Sequence, residues 1–290
     1  MGKISEGLEK ANYENSDMNL LEPDAEFDLS AVPSSADHTE QNIRIQDNAV
    51  RSGSVSTGAW DARLFKAVNE DMPIAELFKN LRSKILHPPG DRPRPQTILV
   101  ASAIPGEGKS FVTANLGTSL AQGVDQFCLM VDCDLRRPSL SKLFGVKARK
   151  GLVDYLRDGR ELGDLLQRTS LDKLTILPAG VTPQNPAELL GSARMHSLLA
   201  ELADRYSDRI ILFDSSPMQA ASETMVLANQ MDGVIVVVRE GKSRRGQVRK
   251  LVDSIEQERL LGVVFNGYTT NIIERSLMEG YGYSSYQGYY

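Results

Sequence analysis

A chain of 290 residues is long enough for one large α/β domain with tails or for two small domains, and its 41% hydrophobic content supports a packed core. The formal charge of −5 is concentrated in the first 60 residues, which hold 4 Lys/Arg against 11 Asp/Glu, while the remainder holds 29 against 27. That near-neutral remainder argues against nucleic acid as a partner, and the scattered His38, His87 and His196 offer no metal-ligand spacing.

No apolar stretch approaches the ~18–20 residues of a membrane span, and no apolar signal core follows the N-terminus, so a cytoplasmic location is expected. Cys128 and Cys133 alternate with apolar and acidic residues, as buried thiols in a reduced compartment would.

Residues 1–60 are rich in Ser, Asn, Asp and Glu and show no sustained apolar period. They are expected to be disordered, apart from a short helix near Ile4 to Asn12, because they bury too little to offset ordering entropy. A docking tail and a solvated leader both fit this composition. Asp71 is placed to cap a helix with Pro73 in its first turn and an apolar stripe of Ile74, Leu77, Phe78, Leu81 and Ile85. Its polar side carries Glu76, Lys79 and Arg82 at a spacing of three, which suits either an exposed face or an intersubunit contact.

From Thr97 strands and helices alternate. Apolar runs at Thr97–Val100, Phe127–Val131, Leu174–Leu177, Ile210–Phe213, Val234–Val238 and Leu261–Phe265 read as strands. Helical segments are expected at Ser110–Gln122, Ala187–Tyr206, Ser222–Asn229 and Ser243–Glu258. Continuous β-branched runs separated by helices imply an α/β fold with a mostly parallel sheet covered on both faces. Ligands of such sheets bind beyond the carboxyl ends of the strands.

The first of those ends carries Ala103-Ile104-Pro105-Gly106-Glu107-Gly108-Lys109-Ser110, followed by Phe111 and a helix. This is the strand, loop and helix order of a phosphate-binding loop, with Ala103 at the usual first glycine. Gly106 and Gly108 let the backbone curl so that N–H groups point inward. Lys109 is placed to reach the β- and γ-phosphates of a nucleotide, Ser110 to ligate Mg²⁺, and the helix to aim its positive end at the anion. Asp214 closes another apolar strand and is placed to hold the metal directly or through water. Asp132 and Asp134 end a third strand, one suited to Mg²⁺ and the other to orienting or deprotonating a hydroxyl; their alternation leaves open whether both face one way. After Tyr268 periodicity is lost. Tyr281, Tyr283, Tyr286, Tyr289 and Tyr290, interleaved with Gly and Ser, read as a flexible tail presenting phenol hydroxyls.

The set Ala103–Ser110, Leu129–Pro138 and Ile210–Pro217 resembles the Walker A, A′ and B motifs of the bacterial tyrosine kinases of polysaccharide export, a deviant P-loop NTPase group. Asn185–Leu190 and the tyrosine cluster sharpen the resemblance, which covers about Met72 to Tyr290. It implies a kinase domain over 61–270, with an oligomerisation helix at 71–87 and a tail at 271–290. The activity implied is an autokinase that phosphorylates its C-terminal tyrosines with Mg-ATP and so regulates exopolysaccharide or capsule export.

The resemblance further implies Asp132 as base, Asn266 near the nucleotide base, and a ring built through a helix motif that here reads Glu76, Lys79, Arg82. Lys79 at the middle place lacks the bidentate fork of an arginine. A separate membrane protein is the implied activator, a protein-tyrosine phosphatase the implied counterpart, and recruitment to the inner face of the membrane the implied location. The competing class is a partitioning or division-site ATPase switch of the same P-loop group. Those carry a second lysine five residues before the loop lysine, where this chain has Ile104, and they lack a tyrosine-rich tail.

Overall fold

The computed structural model describes residues 60–61, 64, 73–218 and 223–268. Seven strands form one sheet: β1 (Thr97–Ala101), β2 (Phe127–Asp132), β3 (Gln167–Arg168), β4 (Leu174–Leu177), β5 (Arg209–Asp214), β6 (Gly233–Arg239) and β7 (Leu260–Asn266). Their spatial order is β3-β4-β2-β5-β1-β6-β7, and every pairing is parallel except β3 with β4. The two-residue β3 was not foreseen; it carries no apolar run that would mark it.

The alternation of β-strand side chains splits the core into two layers. On one face Ile98, Val100, Met130, Leu212 and Ile235 pack under helices α1 (Pro73–Leu86), α2 (Lys109–Ala121) and α3 (Leu140–Leu143). On the other, Leu99, Val131, Phe213 and Val236 pack under α4 (Leu152–Asp158), α5 (Leu162–Leu165), α6 (Pro186–Leu190), α7 (Ala193–Arg205), α8 (Glu223–Ala228) and α9 (Arg245–Asp253). Cys128 and Cys133 are free thiols, one in each layer, and burial raises the pKa of both.

Three helix expectations change. The single helix over Ala187–Tyr206 is two, α6 and α7, broken at Gly191; Ser192 then caps α7 by accepting from the Met195 N–H. Leu77 does not belong to the buried stripe of α1. It is 68% exposed, and Ala75 takes its place beside Phe78 and Ile85 because the helix turns 100° per residue. The last helix is shorter than Ser243–Glu258 and buries only Leu251 fully. Asp71, Ser222, residues 1–59 of the expected 1–60 leader and the tail lie outside the described residues, whereas Trp60, expected at the end of that leader, packs edge-on against Phe144.

Register positions the site. Val100 of β1 pairs with Asp214 of β5 on one side and Ile235 of β6 on the other, and Asp132 of β2 pairs with Asp214. Two carboxylates and the loop after β1 are thereby brought to one end of the sheet. No helix among the described residues is long and apolar enough to cross a membrane.

Candidate active site

The loop leaves β1 at Ala101, and Gly106 (φ 79°) and Gly108 (φ 96°) occupy left-handed conformations that other residues adopt only with strain. Gly108 is also the N-cap of α2, and no side chain caps that end, so the first-turn N–H groups of the helix remain an anion site.

Beside the loop lies a cavity of about 580 Å³ lined by Gly106, Gly108, Lys109, Ser110 and Phe111. Asp134, Arg136 and Arg137 beyond β2, Ser216 and Pro217 beyond β5, and Arg239 at the end of β6 also line it. The switch between neighbouring strands thus supplies the crevice expected of an open parallel sheet.

Lys109 is 6% exposed, and burial lowers its pKa; Asp214, Asp134 and Glu107 oppose that shift with their charges. Burial raises the Asp214 pKa to about 7, with the nearby Ser110 hydroxyl and Lys109 ammonium offsetting only part. Neither oxygen of Asp214 accepts a hydrogen bond of ordinary geometry. Asp132 is fully buried, and burial followed by the charge of Asp214 raises its pKa well above the usual carboxylate value. Its Oδ2 accepts from the Ser139 and Leu140 N–H groups at 3.0 and 3.1 Å, while Oδ1 has no partner. Asp134 Oδ1 accepts from the Ser216 hydroxyl at 2.8 Å and the Arg137 N–H at 3.1 Å.

The strand-end alternation therefore resolves as a division. Asp134 lines the cavity, whereas Asp132 turns under the start of α3 beside Asp214. Buried carboxylate oxygens without hydrogen-bond partners, next to a glycine cradle and a buried lysine, suit a divalent cation and a polyphosphate. Among the described residues no group of three or more His, Cys, Asp and Glu forms a metal cage.

Asn266 stands at the loop rather than in the cavity wall: its Nδ2 donates to the Glu107 carbonyl at 2.7 Å, directly against Gly108. Arg82 donates to the Ser119 carbonyl of α2 at 2.6 Å, and Glu76 pairs with Lys79 at 2.8 Å.

Sequence reasoning assigned no role to Arg136, Arg137, Ser216 or Arg239. The two arginines stand inside the Leu129–Pro138 motif, yet nothing in the linear pattern says which way they turn. Arg136 reaches the buried Glu223 of α8 at 3.2 Å, a partner 87 residues away.

No protein-family model matches the chain. Over 195 residues it is 32% identical to tyrosine-protein kinase YwqD of Bacillus subtilis, covering 67% of this chain and 81% of that protein. It is 30% identical over 241 residues to the putative tyrosine-protein kinase EpsB of Ralstonia solanacearum, of which it spans 31% against 82% of its own length. Among solved structures it resembles the chimerical protein CapA2B2 with a TM-score of 0.65 at 27% identity, covering 80% of this chain and all of that one. It likewise resembles the kinase domain of the Escherichia coli tyrosine kinase ETK, with a TM-score of 0.63 at 27% identity and coverage of 72% and 82%.

Proposed function

This chain belongs to the bacterial tyrosine-protein kinase family, and we propose that it is an autokinase transferring the γ-phosphate of ATP to its own C-terminal tyrosines, Tyr281, Tyr283, Tyr286, Tyr289 and Tyr290. The observation that carries this reading is the buried Lys109 set among Asp214, Asp134 and Glu107 beside a glycine cradle and an open crevice. Such a site has little covalent chemistry to perform and acts by positioning and charge stabilisation. Mg²⁺, when bound, neutralises charge on the transferring phosphoryl group.

The chain's own groups divide the work. Gly106 and Gly108 shape the cradle with Glu107 between them, and Pro105 and Phe111 flank it. Lys109 holds the transferring phosphate, and Ser110, Asp134 and Asp214 hold the metal. Asp132, with its unpartnered Oδ1, is assigned the proton of the acceptor hydroxyl, which requires the start of α3 to move aside because the side chain is fully buried. Asn266 serves the nucleotide by fixing the loop.

The same reading assigns the chain to the control of exopolysaccharide or capsule synthesis and export. A separate membrane activator would bring it to the inner face of the membrane, a protein-tyrosine phosphatase would reset it, and a ring would form through Glu76, Lys79 and Arg82. Arg82 would then have to exchange its bond to α2 for one to a neighbouring chain.

Transfer is expected between chains. A Gly/Ser-spaced tail threads readily into a strand-end site, and a neighbour's site within a short span raises the effective concentration of acceptor. Mixing a Lys109→Met protein that keeps its tail with an active protein truncated after Glu279 should place phosphotyrosine on the inactive chain. If that chain stays unmodified while the parent labels itself at a rate independent of concentration, transfer occurs within one chain. If neither labels, the kinase reading fails.

A further inference from the structure

The residue between the two loop glycines is Glu107, and it is fully buried. An acidic side chain in a loop built to hold anions opposes its ligand unless its charge is directed elsewhere. Here both carboxylate oxygens are engaged. Oε2 accepts from the Ile104 N–H at 2.9 Å, closing the loop on itself. Oε1 accepts from the Ser243 hydroxyl, in the turn that joins β6 to α9, and, at 3.4 Å, from the N–H of Arg239 at the end of β6.

Three further contacts fall on the loop's main chain. Arg239 Nη1 and Lys242 Nζ donate to the Gly106 carbonyl at 3.4 and 3.3 Å, and Asn266 Nδ2 donates to the Glu107 carbonyl at 2.7 Å. Every one of these donors comes from the ends of β6 and β7 or the turn between β6 and α9, more than 130 residues from the loop. In a chain of this kind the carbonyls of a phosphate loop face away from the ligand while the N–H groups face toward it. These contacts therefore grip the loop from behind and leave its ligand side open.

We propose that Glu107 is a positioning residue for the nucleotide: by fastening the β6–α9 turn to the phosphate loop through Ser243, it makes the end of β6 and the turn after it a working part of the nucleotide site. This rests on the reading of the cavity as a nucleotide site. A buried carboxylate that accepts from a hydroxyl and from two main-chain N–H groups holds each donor in a fixed direction, and the loop's N–H groups inherit that order. Replacing it by an amide turns an N–H₂ group toward one of these donors, since both oxygens of the acid accept.

The test is calorimetric titration of the full chain with MgADP, alongside the thermal midpoint of each variant. Ser243→Ala and Glu107→Gln should each weaken MgADP binding about tenfold, the order expected for losing a hydrogen bond to a charged group. Ser243→Thr, which keeps the hydroxyl, should bind like the parent. In the double variant Ser243→Ala/Glu107→Gln the losses should not multiply, because the two residues act through one contact. A role confined to folding would lower the thermal midpoint in both single variants and leave the affinity of the folded fraction unchanged, and that result overturns the inference. So would Ser243→Ala binding within twofold of the parent, or losses that multiply in the double variant. If the parent itself binds no MgADP, the nucleotide reading falls and this inference with it.

Discussion

Replacing Gly108 by alanine should cripple nucleotide binding while leaving the fold in place. Gly108 sits at φ 96°, where an L-residue costs about 1–2 kcal/mol. A Cβ there would also lie 2.0 Å from Asn266 Nδ2, so the amide must leave and its 2.7 Å bond to the Glu107 carbonyl is lost, about another 0.5–1.5 kcal/mol. Without ligand the loop can relax, whereas the bound state needs the curled form, so most of the ~1.5–3.5 kcal/mol falls on binding and weakens it roughly 10- to 400-fold. Titration with MgADP measures the loss, and circular dichroism checks the fold. The proper control is Gly90→Ala, whose glycine is also left-handed at φ 68° but has nothing within 4 Å and lies away from the cavity; its affinity should match the parent. A Gly108→Ala dissociation constant within threefold of the parent would refute the argument.

Lys109→Met should abolish autophosphorylation, by about 10²-fold or more, in a protein with unchanged circular dichroism; a normal phosphotyrosine immunoblot from folded mutant would contradict it. Its loss should exceed that of Ala103→Gly, which only restores the usual loop residue. Asp214→Asn and Asp134→Asn should raise the Mg²⁺ needed for half-maximal activity, whereas Asp132→Asn should lower turnover at saturating metal; an unchanged rate there would move the base role elsewhere. Because Asp214 has a folded pKa raised to about 7, metal binding should weaken as pH falls from 8 to 6. By the same sign, metal-free protein should lose stability as pH rises from the ordinary carboxylate range through 7, with Asp214→Asn flattening the slope of thermal midpoint against pH. Glu76→Ala/Arg82→Ala should reduce the mass seen by light scattering, and tail phosphorylation should reduce it in the parent, since each phosphotyrosine adds about −1.5 to −2 charge; four equal masses, before and after ATP, would dismiss both halves.

Local chemistry made much of this legible in the chain alone. Glycines at 106 and 108, a lysine and serine behind them, and apolar β-branched runs ending in aspartate are each short-range signals. They follow from φ freedom, from strand periodicity and from the need to bury apolar faces. They place β1, the loop, α2 and the candidate residues Lys109, Asp132, Asp134 and Asp214 at one end of a parallel sheet, where the structure has them. The break at Gly191 and the outward turn of Leu77 were less legible, because a helix pattern does not say which of two adjacent apolar positions faces the core.

Only the tertiary structure decided what touches the loop from behind. Glu107 reads in sequence only as one residue of the phosphate loop, and Ser243 as the start of a helix, with nothing to mark Lys242 or Arg239. Their meeting depends on β6 lying next to β1 in the sheet and β7 next to β6, a strand order that no local pattern encodes. The division between Asp132 and Asp134 has the same origin: two carboxylates one residue apart are separated by which of them finds the N–H groups opening α3, and that contact exists only once the chain has folded back.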